Sequence, residues 1–169
     1  MTAPAAVPDP TPATTDSWIA LSAGTGFACG VLSTDGTSGT IYCWGYNGRG
    51  QLGYVGNGSH TPTPITSATN FIDVSAGYAH TCGVRATGQL HCWGSNDQGE
   101  LGDNTLNARS AIGNTVGGMM DWHAVGAGEY ITCGIRGPER RLYCWGENRY
   151  GQAGVGSTLR YMPGPVGTP

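Results

Sequence analysis

The sequence predicts an all-β chain built as a stack of small sheets, and three observations carry that prediction. A block of the form Ala-Gly…Cys-Gly-(Val/Ile)…Cys-Trp-Gly occurs three times: Cys29 with Cys43-Trp44-Gly45, Cys82 with Cys92-Trp93-Gly94, and Cys133 with Cys144-Trp145-Gly146. The tryptophans are 49 and 52 residues apart and the leading cysteines 53 and 51 apart. At such a period one unit cannot bury its own faces and must stack on neighbours. Composition agrees: 30 Gly, 10 Pro and 11% charged residues among 169, without collagen's three-residue period, fit a chain dense in turns.

The elements follow in order. Residues 1–17 are a Pro/Thr-rich tract without apolar periodicity, expected to be a flexible tail or linker. Three repeats follow, at about 18–70, 71–121 and 122–169. Each opens with an aromatic, carries an aliphatic three positions later and ends in Ala-Gly: Trp18 to Gly24, Phe71 to Gly77, Trp122 to Gly128. A short strand turning at the glycine fits this pattern.

The next segment is a hairpin whose register can be tested internally. If Cys82 lies opposite Cys92, then Val84 faces Leu90 and Ala86-Thr87-Gly88 forms a loop whose last residue is the glycine such turns favour. The same rule sets Val31 against Ile41 and Ile135 against Leu142. Each cysteine then shares a face with aliphatics, and opposed Cβ atoms are close enough for a disulfide. The expected pairs are Cys29–Cys43, Cys82–Cys92 and Cys133–Cys144. The tryptophans fall on the opposite face, so each sheet needs cover on both sides.

After each Trp-Gly comes a Gly-rich connector, 47–53, 96–102 and 148–154, with no Gly-Lys-Ser/Thr to cradle phosphate. A net charge of −3 provides no basic footprint for nucleic acid. No apolar run is long enough for membrane insertion, and Met1-Thr2-Ala3-Pro4 does not open a signal peptide. Six paired cysteines place the chain outside the cytoplasm: extracellular or secreted, with the periplasm or cell surface as variants.

Candidate chemistry is sparse. His80 and His91 near cysteines suggest zinc, but they align with Phe27 and Ile131 and with Tyr42 and Tyr143, so packing explains them and neither a metal nor another cofactor is expected. The acidic stretch from Asp97 to Asn104 lacks the alternating ligands of a calcium loop. The carboxylates do not recur in pairs and no Gly-x-Ser-x-Gly or His-Glu-x-x-His is present, so no catalytic residue is expected. Asn57-Gly58-Ser59 is a glycosylation acceptor sequence. Tyr46, Arg49, Tyr54, Arg109, Arg149, Tyr150, Arg160 and Tyr161, expected in connectors, are candidates for a partner surface because Tyr and Arg are enriched at binding hot spots.

The recurring elements, fullest in Gly77 to Cys82 and Trp93 to Gly102, make the chain similar to the regulator-of-chromosome-condensation repeat family, in its Cys-rich secreted bacterial form. Glu100 departs from the family's glutamine at that position. The resemblance covers about residues 18–166 and implies a β-propeller of four-stranded blades, usually seven, acting mostly as an interaction platform. Three repeats do not close such a ring. A fragment of a longer propeller, a ring closed with a partner and an open assembly each fit that count. An arc exposes an apolar sheet face at each end, and head-to-tail contact between those ends gives rings or filaments. The expected function is non-enzymatic protein association, the chain itself being the partner, as a ring-forming or filament-forming structural subunit. A binding or inhibitory module of a longer propeller is the first alternative, and a hydrolase or lyase on this scaffold the second.

Overall fold

The computed structural model describes residues 6–7, 10–11, 15–113, 115–156 and 160–166; most of the tract expected to be a flexible tail lies outside them. The first sheet runs β1 (Ser17–Ala23), β2 (Phe27–Ser33), β3 (Thr40–Gly45) and β4 (Ser59–Pro64), each antiparallel to the next. The third runs likewise through β8 (Trp122–Ala127), β9 (Ile131–Arg136), β10 (Arg141–Gly146) and β11 (Arg160–Pro165). The sheets are three blades of an all-β propeller arc.

The middle blade differs. Strands β5 (Phe71–Ala76), β6 (His80–Arg85) and β7 (Leu90–Gly94) form a three-stranded sheet. Two isolated bridges, Gly94 with Arg109 and His91 with Thr115, take the place of its fourth strand. In the other blades the matching pairs are Gly45 with Ser59 and Tyr42 with Pro64, and Gly146 with Arg160 and Tyr143 with Pro165. The outer segment therefore covers the same span with one residue more in the middle blade, and an extra residue breaks a ladder while leaving its ends paired.

Within each hairpin the register is the one that the cysteines require. Cys29 lies opposite Cys43, Cys82 opposite Cys92 and Cys133 opposite Cys144, each pair with Cα atoms 4.1 Å apart and joined as a disulfide. The glycine after each leading cysteine has a packing role. A Cβ on Gly83 would stand 2.8 Å from the Phe71 ring, and one on Gly134 would stand 2.6 Å from Trp122. The aromatic that opens each repeat packs against that bare backbone.

The cores lie between blades rather than within them. Cys29, Val31, Ile41, Cys43 and Leu52 of the first blade enclose Phe71, Val74 and Trp93 of the second. Cys82, Val84, Leu90, Cys92 and Leu101 of the second enclose Trp122 and Trp145 of the third. Each blade thus has a leading face with tryptophans, turned to the blade before it, and a trailing face with cysteines and aliphatics, turned to the blade after.

Candidate interaction surface

The joints between blades are built from the recurring connector. Asn47 accepts a hydrogen bond on Oδ1 from the Leu52 amide (2.9 Å) and donates to the carbonyls of Tyr54 and Gly56. Asn96 and Asn148 hold Leu101 and Ala153 in the same way. Gln51 Oε1 accepts from Arg49 N, Glu100 Oε2 from Gln98 N and Gln152 Oε1 from Tyr150 N. So braced, the connector presents one carbonyl to the next blade. That of Gln51 accepts from Trp93 Nε1 (2.9 Å) and the Thr81 hydroxyl (2.8 Å). That of Glu100 accepts from Trp145 Nε1 and the Thr132 hydroxyl, both at 2.8 Å.

Two further points of attachment recur. The hydroxyls of Ser22 and Ser75 accept from the amides of Ala76 and Ala127 on the first strand of the following blade. Gly39 exchanges backbone hydrogen bonds with Phe71, and the Gly88 carbonyl accepts from Trp122 N. These attachments hold β1, β5 and β8 side by side along the inner edge of the arc.

Burial shapes the electrostatics of the second joint. His80 is fully buried, which lowers its pKa to about 4 and keeps it neutral. Its Nε2 donates to Thr132 Oγ1 (2.9 Å), completing a relay to the Glu100 carbonyl, while Nδ1 has no partner. Burial likewise raises the pKa of Glu100, whose Oε1 is without a hydrogen bond.

The two end faces carry the same design with no blade against them among the described residues. On the leading face of the first blade Trp18 is 37% and Leu21 70% exposed, whereas their counterparts Phe71 and Val74 are 0% and 4% exposed. Trp44 is half-buried and meets Trp18 edge to face at 6.1 Å. On the trailing face of the third blade, Ala124, Gly126, Cys133, Ile135 and Leu142 line an open apolar groove of about 270 Å³. Several joint residues change at these ends, and in the trailing core Ala153 stands where Leu52 and Leu101 enter the inner joints. Ala28 replaces the threonine donor, Gly126 replaces the serine acceptor, and Arg140 stands where Gly39 and Gly88 meet the next blade.

The candidates for a partner surface separate. Tyr46 and Tyr150 are exposed on connectors, and the Arg149 guanidinium lies 5.0 Å over the Tyr150 ring and pairs with Glu147. Arg49 pairs with Asp97 across the first joint (3.3 Å) and shares a cleft with Tyr54, Ala108 and Ser110. Tyr46 and Asn57 line another cleft with His60, and Asn57 is exposed. Tyr54 packs against the first core, and Arg109 is engaged by Asp103 at 2.7 Å. Arg160 and Tyr161 belong to β11 rather than a connector, and the Arg160 side chain lies outside the described residues. Among the described residues no cluster of three or more His, Cys, Asp or Glu is placed to hold a metal, and no helix is long and apolar enough to cross a membrane.

The joint residues Ser22, Ser75, Thr81 and Thr132 were not singled out by sequence reasoning. Their signal was visible as recurrence at fixed offsets from Cys and Ala-Gly, together with its interruption at Ala28 and Gly126.

Sheets stacked face to face through a repeated connector lock define a propeller-repeat protein. More particularly, the chain belongs to the regulator of chromosome condensation (RCC1) repeat family. One model of that repeat matches residues 38–84 and a second matches 71–100 and 122–152, together more than half of the chain. The fold is similar to that of human WBSCR16 (TM-score 0.73, 20% identity), with 89% of this chain and 40% of that one covered. It is also similar to Prp20p from Saccharomyces cerevisiae (TM-score 0.71, 22% identity), with 91% and 37% covered. The Prp20p structure was described with that protein's binding properties to Gsp1p and histones. The chain spans about two fifths of the length of these proteins. The three disulfides suggest an oxidising setting.

Proposed function

We propose that the chain is a non-enzymatic protein-association module of the secreted compartment, and that it associates with itself head to tail. One observation carries this reading. The leading face of the first blade and the trailing face of the third are the two unmatched halves of a joint that the molecule builds twice internally. A self-complementary pair of different surfaces propagates until it closes. Covering these apolar faces removes from water the surface that a soluble chain least tolerates. That Prp20p is described with protein partners supports the use of such a scaffold for association. Tyr46, Arg49, Arg149 and Tyr150 then decorate the outer connectors as secondary contacts, and Asn57 offers an exposed acceptor if the host glycosylates exported proteins.

Light scattering on oxidised protein across a concentration series tests the reading. The expected mass exceeds the 17.4 kDa of one chain and rises with concentration. A discrete dimer means a six-bladed ring, and large open-ended species mean a filament. A 17.4 kDa species at every concentration overturns self-association. It would favour the second reading, a binding module of a longer propeller, which draws support from the share of its neighbours' length that this chain spans.

A further inference from the structure

Resting on that self-association, we propose that the docked copy is registered by one hydrogen bond, from Trp44 Nε1 of one copy to the Gln152 carbonyl of the next. In this seam Trp18 and Trp44 cover the Cys133–Cys144 bridge. The occupant is a second copy of this chain because the molecule already contains the interface twice. Trp93 is buried in one core with Cys29 and Cys43, and Trp145 in one core with Cys82 and Cys92. In each case the indole seats on the connector's last glycine. A Cβ on Gly53 would stand 2.9 Å from Trp93 Nε1, and one on Gly102 would stand 2.6 Å from Trp145 Nε1.

The third connector keeps the glycine and the bracing side chains of that seat, with Ala153 in place of Leu52 and Leu101. Gly154 holds the same left-handed conformation (φ 66°) and is exposed, and Asn148 and Gln152 brace the loop as their counterparts do. The carbonyl is therefore aimed before any partner arrives. What the end faces have given up are the secondary attachments. Ala28 brings no hydroxyl donor, Gly126 offers no hydroxyl acceptor, and Arg140 replaces the hairpin glycine. The seam keeps the tryptophan bond and the apolar cover while losing the rest of the lock. It is a weaker version of the internal joint, suited to reversible association.

A chemical consequence follows. Cys29, Cys43, Cys82 and Cys92 are buried beneath a following blade, whereas in the third blade Cys144 is buried but its partner Cys133 is partly exposed in the trailing groove. Docking shields that bridge and no other.

The test is a short pulse of dithiothreitol on the oxidised chain at low and high concentration, quenched with iodoacetamide and read by peptide mass spectrometry. Dithiothreitol becomes its cyclic disulfide as each cleaved bridge gains two thiols. At low concentration Cys133 and Cys144 are alkylated first. Where nine-tenths of the chains are associated, their reduction slows about tenfold while the other two pairs are unchanged. Trp44→Phe keeps a six-membered aromatic ring but loses the N–H and the five-membered ring, so the dissociation constant rises about tenfold or more. Leu142→Arg, at an exposed position of the groove, abolishes association with the monomer's circular dichroism intact. Association that leaves the Cys133–Cys144 bridge unprotected, or that ignores both substitutions, overturns the seam while self-association stands. A monomer at every concentration overturns both and assigns the face to a further blade or a different protein.

Discussion

Trp93 and Trp44 occupy the same place in their repeats, each between a disulfide cysteine and a glycine, yet Trp93 is fully buried and Trp44 lies half-open on an end face. The difference teaches that burial here belongs to the neighbour rather than to the repeat. A blade supplies half of each of two cores and owns neither. The repeat's own ladder and disulfide hold its shape, and the joints hold the stack, as expected where stability is a sum of unit and interface terms.

Emptying a sealed joint is the most direct way to break that comparison. Trp93→Ala or Trp145→Ala removes a buried indole and orphans the connector lock, and the expected cost is about 3–5 kcal/mol. Trp44→Ala, measured on the monomer, should cost less than about 1 kcal/mol, in the range of surface substitutions. Urea unfolding of the three variants reads the contrast. Equal losses would mean that the indole supports its own blade, and the joint would not be the unit of stability.

The disulfides sharpen the other half, the claim that each blade holds its own shape. Their loops are short, with separations of 14, 10 and 11 residues. Removing one, for example with Cys82→Ala and Cys92→Ala together, should cost about 2–3 kcal/mol in the chain-entropy model. That loss should be similar for an end blade and the middle one, unlike the tryptophan series. Thermal unfolding of the paired variants in each blade checks this.

Much of this was legible because three copies share one sequence. The hairpin register, the cysteine pairing and the opposition of Trp to Cys follow from a strand period of two applied three times. The connector's role was not legible, since its acceptor is a backbone carbonyl that every residue has. Asn47, Asn96 and Asn148 aim that carbonyl, and only folding shows where it points. The missing fourth strand of the middle blade also lay beyond a reading by period. It turns on one extra residue between Arg109 and Thr115, in a segment with no apolar alternation to fix its register.

The threonine of the lock separates inner joint from outer face at smaller cost. Thr132→Val keeps the shape, but the Glu100 carbonyl loses one donor and the buried His80 Nε2 is left without an acceptor. The expected loss is about 1–2 kcal/mol. The reverse change, Ala28→Thr, should leave the monomer's unfolding midpoint unchanged and strengthen association, because its acceptor lies on another copy. Sedimentation at several concentrations would show this, and a shift in the monomer's stability would place the acceptor within the chain.

The two inner joints also differ from each other, at Gln51 and Glu100. Both side chains brace the connector by accepting from the amide two residues earlier, but the second oxygen of Glu100 is buried without a partner, near Asp97 and Glu147. Burial raises its pKa above the ordinary value of 4.5, so the folded state prefers the protonated acid. Its contribution to stability is then fully present below 4.5, is lost as pH rises through the folded value, and stays lost above it. Glu100→Gln should match the parent near pH 4 and exceed it at neutral pH, where the parent's carboxyl is ionised. His80 acts in the opposite sense, since its pKa falls from 6.5 to about 4 and its contribution is lost as pH falls through that range. Burial also raises Asp73, which shares the sign of Glu100. Both are present in parent and variant, so the difference between the two urea midpoints from pH 4 to 8 isolates Glu100. A difference that does not grow with pH would mean that the carboxyl finds a partner or reaches water, and the second joint would then be as well satisfied as the first.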